Sequence, residues 1–403
     1  MVEGNRSRRS LSLLLTGATL SRLGATVSPL AVSFAVLDEG GSVGRLGLVL
    51  AFELLPVIVF TLLGGVLADR YSRKKVLISS ELLRSLSNMI LFVWLLIVPP
   101  PLYVFVTVQV MIGVGVALFQ PSSFGLVAEV VGREGLQRAN SYLYIVRSAA
   151  GIFGGILAGF MITYLGPAFT LSFAGLTYLA SVGVLSRLPL ASTVAVIFEN
   201  GTLAQLRDGW RTFRSMRWLW SVDLFAMVFH LCFMAPFQVL GVEVAKVRLG
   251  GATPWGFVLA AFSVGQLSGS ALISSSQKVK KPLYVGVGIL FLSPFPLIAL
   301  SEGSSIWVLV VFTFVSGVSV GVFSPLFDTA LQSTLSKEIL SRVSAFDFVL
   351  SVASLPLGLA VVGAVAEAVG SSWVLDVGCL VTLLACVSVL SLREVRGFEV
   401  PPS

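Results

Sequence analysis

Five of the ionisable side chains inside long apolar segments of the chain are candidates for function, because a charge is costly there. They are Arg22, Glu53, Arg147, Asp223 and His230. A carboxyl or imidazole group held away from water can take up and release a proton, so Glu53, Asp223 and His230 are candidate proton carriers. Asp223 and His230 are seven residues apart, about two helical turns, and should share one face of a helix.

Each candidate also has a structural alternative. Arg22 and Glu53 could form a buried ion pair, and Asp223 could lie shallow enough to contact interfacial water or Arg217. Three further acids lie close to the ends of their apolar segments: Asp328, Asp347 and Asp376. Solvation at the level of the lipid headgroups accounts for these three, so they are not included among the candidates.

Membrane helices must position these residues, because the chain is far more apolar than a soluble protein. Of its 403 residues, 56% are hydrophobic and 12% are charged, and a spanning helix needs about 20 mostly apolar residues. Runs of this length without strict alternation predict helices rather than barrel strands. Twelve such runs cover residues 11–37, 46–68, 76–98, 102–128, 141–164, 167–186, 218–242, 252–275, 282–300, 305–327, 343–366 and 371–392. We therefore predict an all-α membrane protein with twelve transmembrane helices.

The basic residues predict the orientation of these helices. Of the 27 Lys and Arg residues, 21 fall in alternate connections or at the termini, which places both termini in the cytoplasm by the positive-inside rule. The other six are Arg45, Lys246 and Arg248 on the opposite face, and Arg22, Arg84 and Arg147 within helices. The net charge of +7 therefore orients the protein in a cell membrane, and we expect no nucleic-acid partner.

Two parts of the chain repeat each other at an offset of 204 residues. Residues 113–121 align without a gap on 317–325, and the loop 133–138 aligns on 337–342. Apolar helices can resemble one another by composition alone, but here the loop charges coincide as well, which favours duplication of a six-helix unit. Because six is even, the two units form a parallel repeat.

The repeat predicts the domain organisation. We expect a six-helix bundle over residues 1–190, a cytoplasmic linker over 191–217 and a second six-helix bundle over 218–403. A seam between two such bundles is a natural place for a binding site that faces either side of the membrane in turn, so the architecture suggests alternating access.

Five residues between the second and third apolar runs have a spacing of particular interest. They are Gly65, Asp69, Arg70, Arg73 and Lys74. Glycine allows close helix packing, and an acid at this interface can pair with the bases or face a helix N-terminus. A plain cytoplasmic loop with one acid is the alternative.

This spacing resembles the G-x-x-x-D-R-x-G-R-K/R signature of the major facilitator superfamily, with Ser72 at the position of the last glycine. The resemblance covers nearly the whole chain and implies the two-bundle major facilitator fold. It also implies that Asp69 is a cytoplasmic latch that favours the outward-open state. In the second half Asp69 aligns with Ile273, so that copy has lost the acid.

Within the superfamily, helices one, four, seven and ten line the cavity, which implies that Arg22, Gln109, Asp223 and His230 lie near substrate. Drug/proton antiporters often carry an arginine in helix four, and Gln109 stands at that position here.

Their G-P-x-x-G-G pattern in helix five is similar to residues 150–155, where Gly154 and Gly155 match and Gly151 stands at the position of the proline. The three glycines Gly151, Gly154 and Gly155 imply close helix packing. Short pieces at residues 138–140, 207–209 and 355–358 are most similar to the branch of macrolide-efflux and siderophore-export carriers.

Other functional classes fit the sequence less well. Residues 317–321 match G-x-S-x-G but lie inside an apolar helix, and a single histidine leaves little material for a catalytic triad or an HExxH site. The three cysteines have no CxxC spacing. We expect no enzyme activity, no metal and no cofactor. No filter-like sequence or ring of acids indicates a channel.

Transport of a small molecule remains, either outward or inward. Polar substrates need several polar groups in the binding cavity, and the helices supply few. The sequence therefore favours proton-coupled efflux of hydrophobic or amphiphilic molecules by a monomer, with uptake of a small metabolite as the alternative.

Overall fold

The computed structural model describes residues 2–70, 72–188, 202–276, 279–335 and 337–399. This part of the chain is helical, without a β-strand, because an apolar run in lipid must satisfy its backbone polar groups internally. The α-helices are α1 Val2–Asp38, α2 Val43–Arg70, α3 Arg73–Ile97, α4 Leu102–Ser186, α5 Thr202–Ser215, α6 Arg217–Phe229, α7 Ala235–Arg248, α8 Ala252–Ser275, α9 Pro282–Ile289, α10 Phe295–Ser301, α11 Ile306–Thr334, α12 Lys337–Val352, α13 Ser354–Val369, α14 Ser371–Ser391 and α15 Arg393–Arg396. The predicted all-α class is confirmed for these residues.

The described residues group into two compact units. The first takes those within Met1–Phe198 and Gly251–Gly256, and the second takes those within Glu199–Gly250 and Phe257–Ser403. The first unit is built from α1 to α4 with the N-terminal turn of α8, and the second from the rest of α8 with α5 to α7 and α9 to α15.

Helix α4 changes direction within the first unit. A straight helix of 85 residues would be about 130 Å long. Yet Thr26 of α1 contacts Gly154, while Gly17, less than three turns away on α1, contacts Leu185. The chain therefore turns back between residues 154 and 185. Gly166 has a φ of +83°, a conformation that an α-helix cannot contain and that glycine adopts readily, so the turn lies there.

Eleven helical segments of the described chain are long and apolar enough to cross a membrane, by length and composition. One of them, Ala139–Ser186, has 48 residues and contains Gly166. The sequence prediction divided this stretch into two runs, 141–164 and 167–186. The eleven segments establish a multi-pass membrane protein.

Helix α5, Thr202–Ser215, lies within the predicted linker over residues 191–217. Its Trp210 and Phe213 rings pack against Phe346 of α12, with ring centroids 5.5 and 6.5 Å from that of Phe346. Aromatic packing therefore anchors α5 to the second unit.

Glycines at equivalent positions of the two repeats have the same role. A Cβ atom at Gly113 of α4 would collide with the backbone oxygen of Glu53 in α2, and one at Gly317 of α11 would collide with that of Phe262 in α8. In each unit the absence of a side chain lets two helices approach closely.

Candidate functional site

A cavity of about 190 Å³ lies inside the first unit, where α1, α2, α3 and α4 meet. Its polar lining consists of Ser21, Arg22, Ser28, Glu53, Arg84, Gln120 and Tyr178. Two of the predicted site residues, Arg22 and Glu53, therefore line one cavity. Polar groups at such depth are costly in an apolar protein and mark a candidate site.

Glu53 is bound by Gln109, which was predicted to lie near substrate. Gln109 is 1% exposed and its Nε2 donates a hydrogen bond of 2.8 Å to Glu53 Oε2. Gln109 Oε1 is buried and has no hydrogen-bond partner among the described residues. The proposed ion pair between Arg22 and Glu53 is absent from the described structure, where Glu53 is joined to a neutral amide instead.

Arg84 is the centre of a second buried network. Its Nη2 donates a hydrogen bond of 2.6 Å to the Tyr178 hydroxyl, and its Cζ lies 4.1 Å from the centre of the Tyr178 ring. Its Nη1 lies 3.4 Å from Ser21 Oγ and 3.9 Å from Glu81 Oε1. These contacts join α1, α3 and the last part of α4.

Sequence reasoning did not include Glu81, Arg84 or Tyr178 among the candidates. Glu81 and Arg84 are 0% and 4% exposed, and Tyr178 is 1% exposed. The signal for the first two was present, because an acid and a base three residues apart in an apolar run lie on one helix face. Nothing in the sequence pairs Tyr178 with Arg84.

Arg22 is half-buried on α1 and faces the same cavity. Its Cζ lies 5.9 Å from the centre of the Phe119 ring, and the Cζ of Arg84 lies 5.6 Å from the same ring. Arg22 forms neither a hydrogen bond through its side chain nor an ion pair within the described structure. Arg147, also predicted for the site, is exposed on α4 and does not line the cavity.

In the second unit, Asp223 meets an acid that sequence reasoning had set aside. Asp223 is 3% exposed, and its carboxyl group lies close to that of Asp347 on α12. The Asp347 side chain is half-buried. Two carboxylates in such proximity repel each other, so the pair favours one charged and one neutral carboxyl group.

Arg217 does not contact Asp223 as the alternative proposed. Arg217 Nη1 lies 3.7 Å from Glu394 Oε1 at an exposed position. Asp223 Oδ2 is buried and has no hydrogen-bond partner within the described ranges.

His230 begins a π-helical turn, His230–Met234, that separates α6 from α7. Such turns insert one residue into a helix and often occur at functional sites. The imidazole lies near the backbone oxygens of Ala226 and Ser351, and its Nδ1 is buried without a well-formed hydrogen bond in the described part of the chain. His230 and Asp223 are on one continuous span, but no hydrogen bond or ion pair joins them there.

The signature residues between α2 and α3 are only partly described. Lys74 Nζ donates hydrogen bonds of 2.7 Å and 2.6 Å to the backbone oxygens of Ser186 and Leu188. A cation at the C-terminal end of a helix is favoured by the helix dipole, so Lys74 ties the start of α3 to the end of α4. Arg73 begins α3. Gly65, Asp69 and Arg70 lie in the last turns of α2, outside the described side chains.

The three glycines predicted for close packing lie on α4. Gly154 and Gly155 are buried and Gly151 is half-buried. A Cβ atom at Gly154 would lie 3.0 Å from Thr26 Cβ on α1, a tight contact.

Metal ligation finds no support in the described residues, where no group of three or more His, Cys, Asp or Glu side chains converges. Cys379 and Cys386 are buried, Cys232 is half-buried, and all three are free thiols.

The chain is similar to known proteins along nearly its whole length. Residues 7–400 match the family model described as "Transmembrane secretion effector", a major facilitator superfamily model. The multidrug efflux pump Tap of Mycolicibacterium fortuitum is 28% identical over 390 residues, with 91% of each chain covered. Macrolide efflux protein A of Streptococcus pyogenes is 21% identical over 406 residues, covering 99% of this chain and 100% of that one.

Solved structures of transporters have the same fold. The nucleoside transporter NupG superposes with a TM-score of 0.77 at 14% identity, over 95% of this chain and 99% of that one. A bacterial homologue of the human lysosomal transporter Spinster superposes with a TM-score of 0.73 at 13% identity, over 99% of both chains.

Proposed function

Because the chain belongs to the major facilitator family of transmembrane secretion effectors, we propose that it exports hydrophobic or amphiphilic small molecules, driven by protons, through alternating access. The family consists of transporters, so the chain is a multi-pass membrane transporter and not an enzyme. The cargo, the direction of transport and the coupling ion belong to the proposal.

The observation that carries the proposal is the cavity of about 190 Å³ inside the first unit. It brings Arg22, Glu53, Arg84 and Tyr178 together with apolar walls such as Ile112 and Phe119. Small-molecule sites combine a mostly apolar lining with a few polar groups. An arrangement of this kind is suited to a cargo with one polar end and an apolar body.

Export is supported by the relatives, whose names describe a multidrug efflux pump and a macrolide efflux protein. The membrane segments contain few polar residues, which also favours an amphiphilic cargo that enters from the lipid or from the cytoplasm. Uptake of a small metabolite is the alternative that the experiment below separates from export.

Proton coupling rests on two acid sites that are at least half-buried, one in each unit. Glu53 accepts a hydrogen bond from Gln109, and Asp223 lies against Asp347. Each carboxyl group can exist in a neutral and a charged form whose hydrogen bonds differ, which is what a proton carrier requires. His230, with its buried Nδ1, is the third carrier candidate.

The proposal includes twelve membrane helices with both termini in the cytoplasm and a monomeric carrier. The turn at Gly166 supports two crossings in Ala139–Ser186, which brings the number of spans from eleven to twelve. Two six-helix bundles, over 1–190 and 218–403, are the moving parts in this scheme. Asp69 acts as the cytoplasmic latch between conformations. Tags on both ends, tested for accessibility in intact cells, check the topology: accessibility of either tag from outside contradicts it.

Accumulation of a fluorescent amphiphilic dye in whole cells tests the proposed function. Cells that carry the protein should accumulate less dye than cells without it, and an uncoupler that collapses the proton gradient should remove the difference. Equal accumulation with and without the protein contradicts export, and higher accumulation with the protein supports uptake.

A further inference from the structure

The cavity in the first unit presents hydrogen-bond donors that have no acceptor in the described structure. Arg84 is 4% exposed, lines the cavity, and its Nε atom is buried without a partner. Arg22 lines the same cavity, its Cζ lies 5.9 Å from the centre of the Phe119 ring, and its guanidinium has no hydrogen-bond acceptor among the described residues. A buried donor without an acceptor costs free energy, more so when it is charged, so these groups favour a ligand that supplies acceptors.

The charged side chains around the cavity indicate the sign of the charge on that ligand. Glu53 is bound by Gln109, and Glu81 lies next to Arg84. Two guanidinium groups, those of Arg22 and Arg84, line the cavity together with one carboxyl group, that of Glu53. Arg22 is the member of this set that has neither an acid nor an amide as a partner in the described part of the chain, so a positive charge is left for a ligand to pair with.

We propose that this cavity binds the anionic end of the transported molecule, a carboxylate or a similar oxyanion, and that the preferred cargo is an amphiphilic acid. This proposal rests on the proposed function and specifies its substrate class. The planar guanidinium of Arg22 can donate two parallel hydrogen bonds to a carboxylate. Arg84 and Tyr178 line the same cavity and can contribute further donors.

The size of the cavity agrees with recognition of one end of a molecule. A volume of about 190 Å³ is smaller than the roughly 300–1,000 Å³ of sites that enclose a whole drug-sized ligand. It accommodates a carboxylate with a few attached carbon atoms. Phe119, Ile112 and Val116 line the apolar side, where the start of a hydrophobic body would lie.

Two xanthene dyes of similar size and opposite charge test the proposal. Fluorescein carries a carboxylate, and the ethyl ester of rhodamine is a cation. Binding of each dye to the purified full-length protein is measured by fluorescence anisotropy, and export of each by accumulation in cells. Wild-type protein should bind and export fluorescein more strongly than the cationic ester.

Arg22→Gln removes the positive charge and the guanidinium group that can donate two parallel hydrogen bonds. Loss of a charge-assisted hydrogen bond should raise the Kd for fluorescein by about tenfold or more. The Kd for the cationic ester should not rise, because the change removes a charge of the same sign. Arg22→Lys keeps the charge but lacks the planar guanidinium, so its Kd for fluorescein should lie between those of wild type and Arg22→Gln. Arg45→Gln, which removes the same charge from an exposed position at the start of α2, is the matched control and should bind both dyes like wild type.

The outcomes separate this inference from the proposed function. If the protein exports the cationic ester but neither binds nor exports fluorescein, the inference is overturned and the proposed export function stands. Equal weakening of both dyes in Arg22→Gln means that Arg22 is structural and also overturns it. Export of neither dye by wild-type protein removes the proposed function, and the inference with it.

Discussion

Gln109 Nε2 donates a hydrogen bond of 2.8 Å to Glu53 Oε2 and so joins α4 to α2 through a buried amide and a half-buried carboxyl group. The other amide atom, Gln109 Oε1, has no partner in the described structure. A protonated Glu53 could also donate to that oxygen, whereas the bond from Nε2 can form in either protonation state. The hydrogen bonding available to the pair therefore changes when Glu53 gains or loses a proton.

Glu53→Gln should abolish proton-driven export, because the amide cannot release a proton. The protein should still insert, since the replacement keeps the shape of the side chain and its hydrogen-bonding ability. Dye export under an imposed pH gradient in vesicles measures the effect. Glu39→Gln, an exposed position after α1, is the control. Unchanged coupling in Glu53→Gln removes Glu53 from the list of carriers.

The two acids of the second unit should behave as one proton site. Asp223→Asn and Asp347→Asn should each impair export, and the double variant should be no worse than the more severe single one, because both changes remove the same shared proton. Initial export rates in a double-mutant cycle measure this, with Asp376→Asn at an exposed position of α14 as the control. Independent, multiplicative losses contradict a shared proton.

Tyr178 should stabilise the first unit through its hydroxyl group. Tyr178→Phe removes the acceptor of the 2.6 Å bond from Arg84 Nη2 and leaves a buried charged donor unsatisfied, at a cost of about 1–3 kcal/mol in the free energy of unfolding. Thermal unfolding in detergent should show the loss. Tyr103→Phe, at a position that is 66% exposed, should leave the unfolding temperature unchanged. Equal stability of both variants means that the bond contributes little.

The helices could be predicted from the sequence because length and apolarity alone select them. The break at Gly166 before Pro167 was also predictable, since that pair interrupts an apolar run and glycine takes up the positive φ. Arg22 and Glu53 were found as charges in apolar runs, a signal that needs no knowledge of neighbours.

The pairings within the site were not predictable in the same way. The rotation of each helix about its axis decides that Glu53 meets Gln109 and that Asp223 meets Asp347, and spacing along the chain carries no information about it. Asp347 was set aside because it lies near the end of an apolar run. Its position against α6 depends on packing between α6 and α12, which only the folded structure contains.

Asp69→Asn should impair transport while leaving the amount of inserted protein unchanged, because the change removes the charge of the proposed latch and keeps its size. Membrane content by immunoblot and export rates measured on the same cells check both parts. Unchanged flux in the variant removes the latch assignment. A loss of inserted protein that fully explains the lost flux does so as well.

Purified protein in vesicles, with a pH gradient imposed across the membrane, tests proton-coupled transport most directly. Dye concentration and internal pH are followed at the same time. The account predicts that dye accumulates against its gradient while protons move the opposite way, and that both fluxes stop together in Glu53→Gln. Dye movement no faster than in protein-free vesicles, or dye movement that leaves the pH gradient untouched, would contradict it.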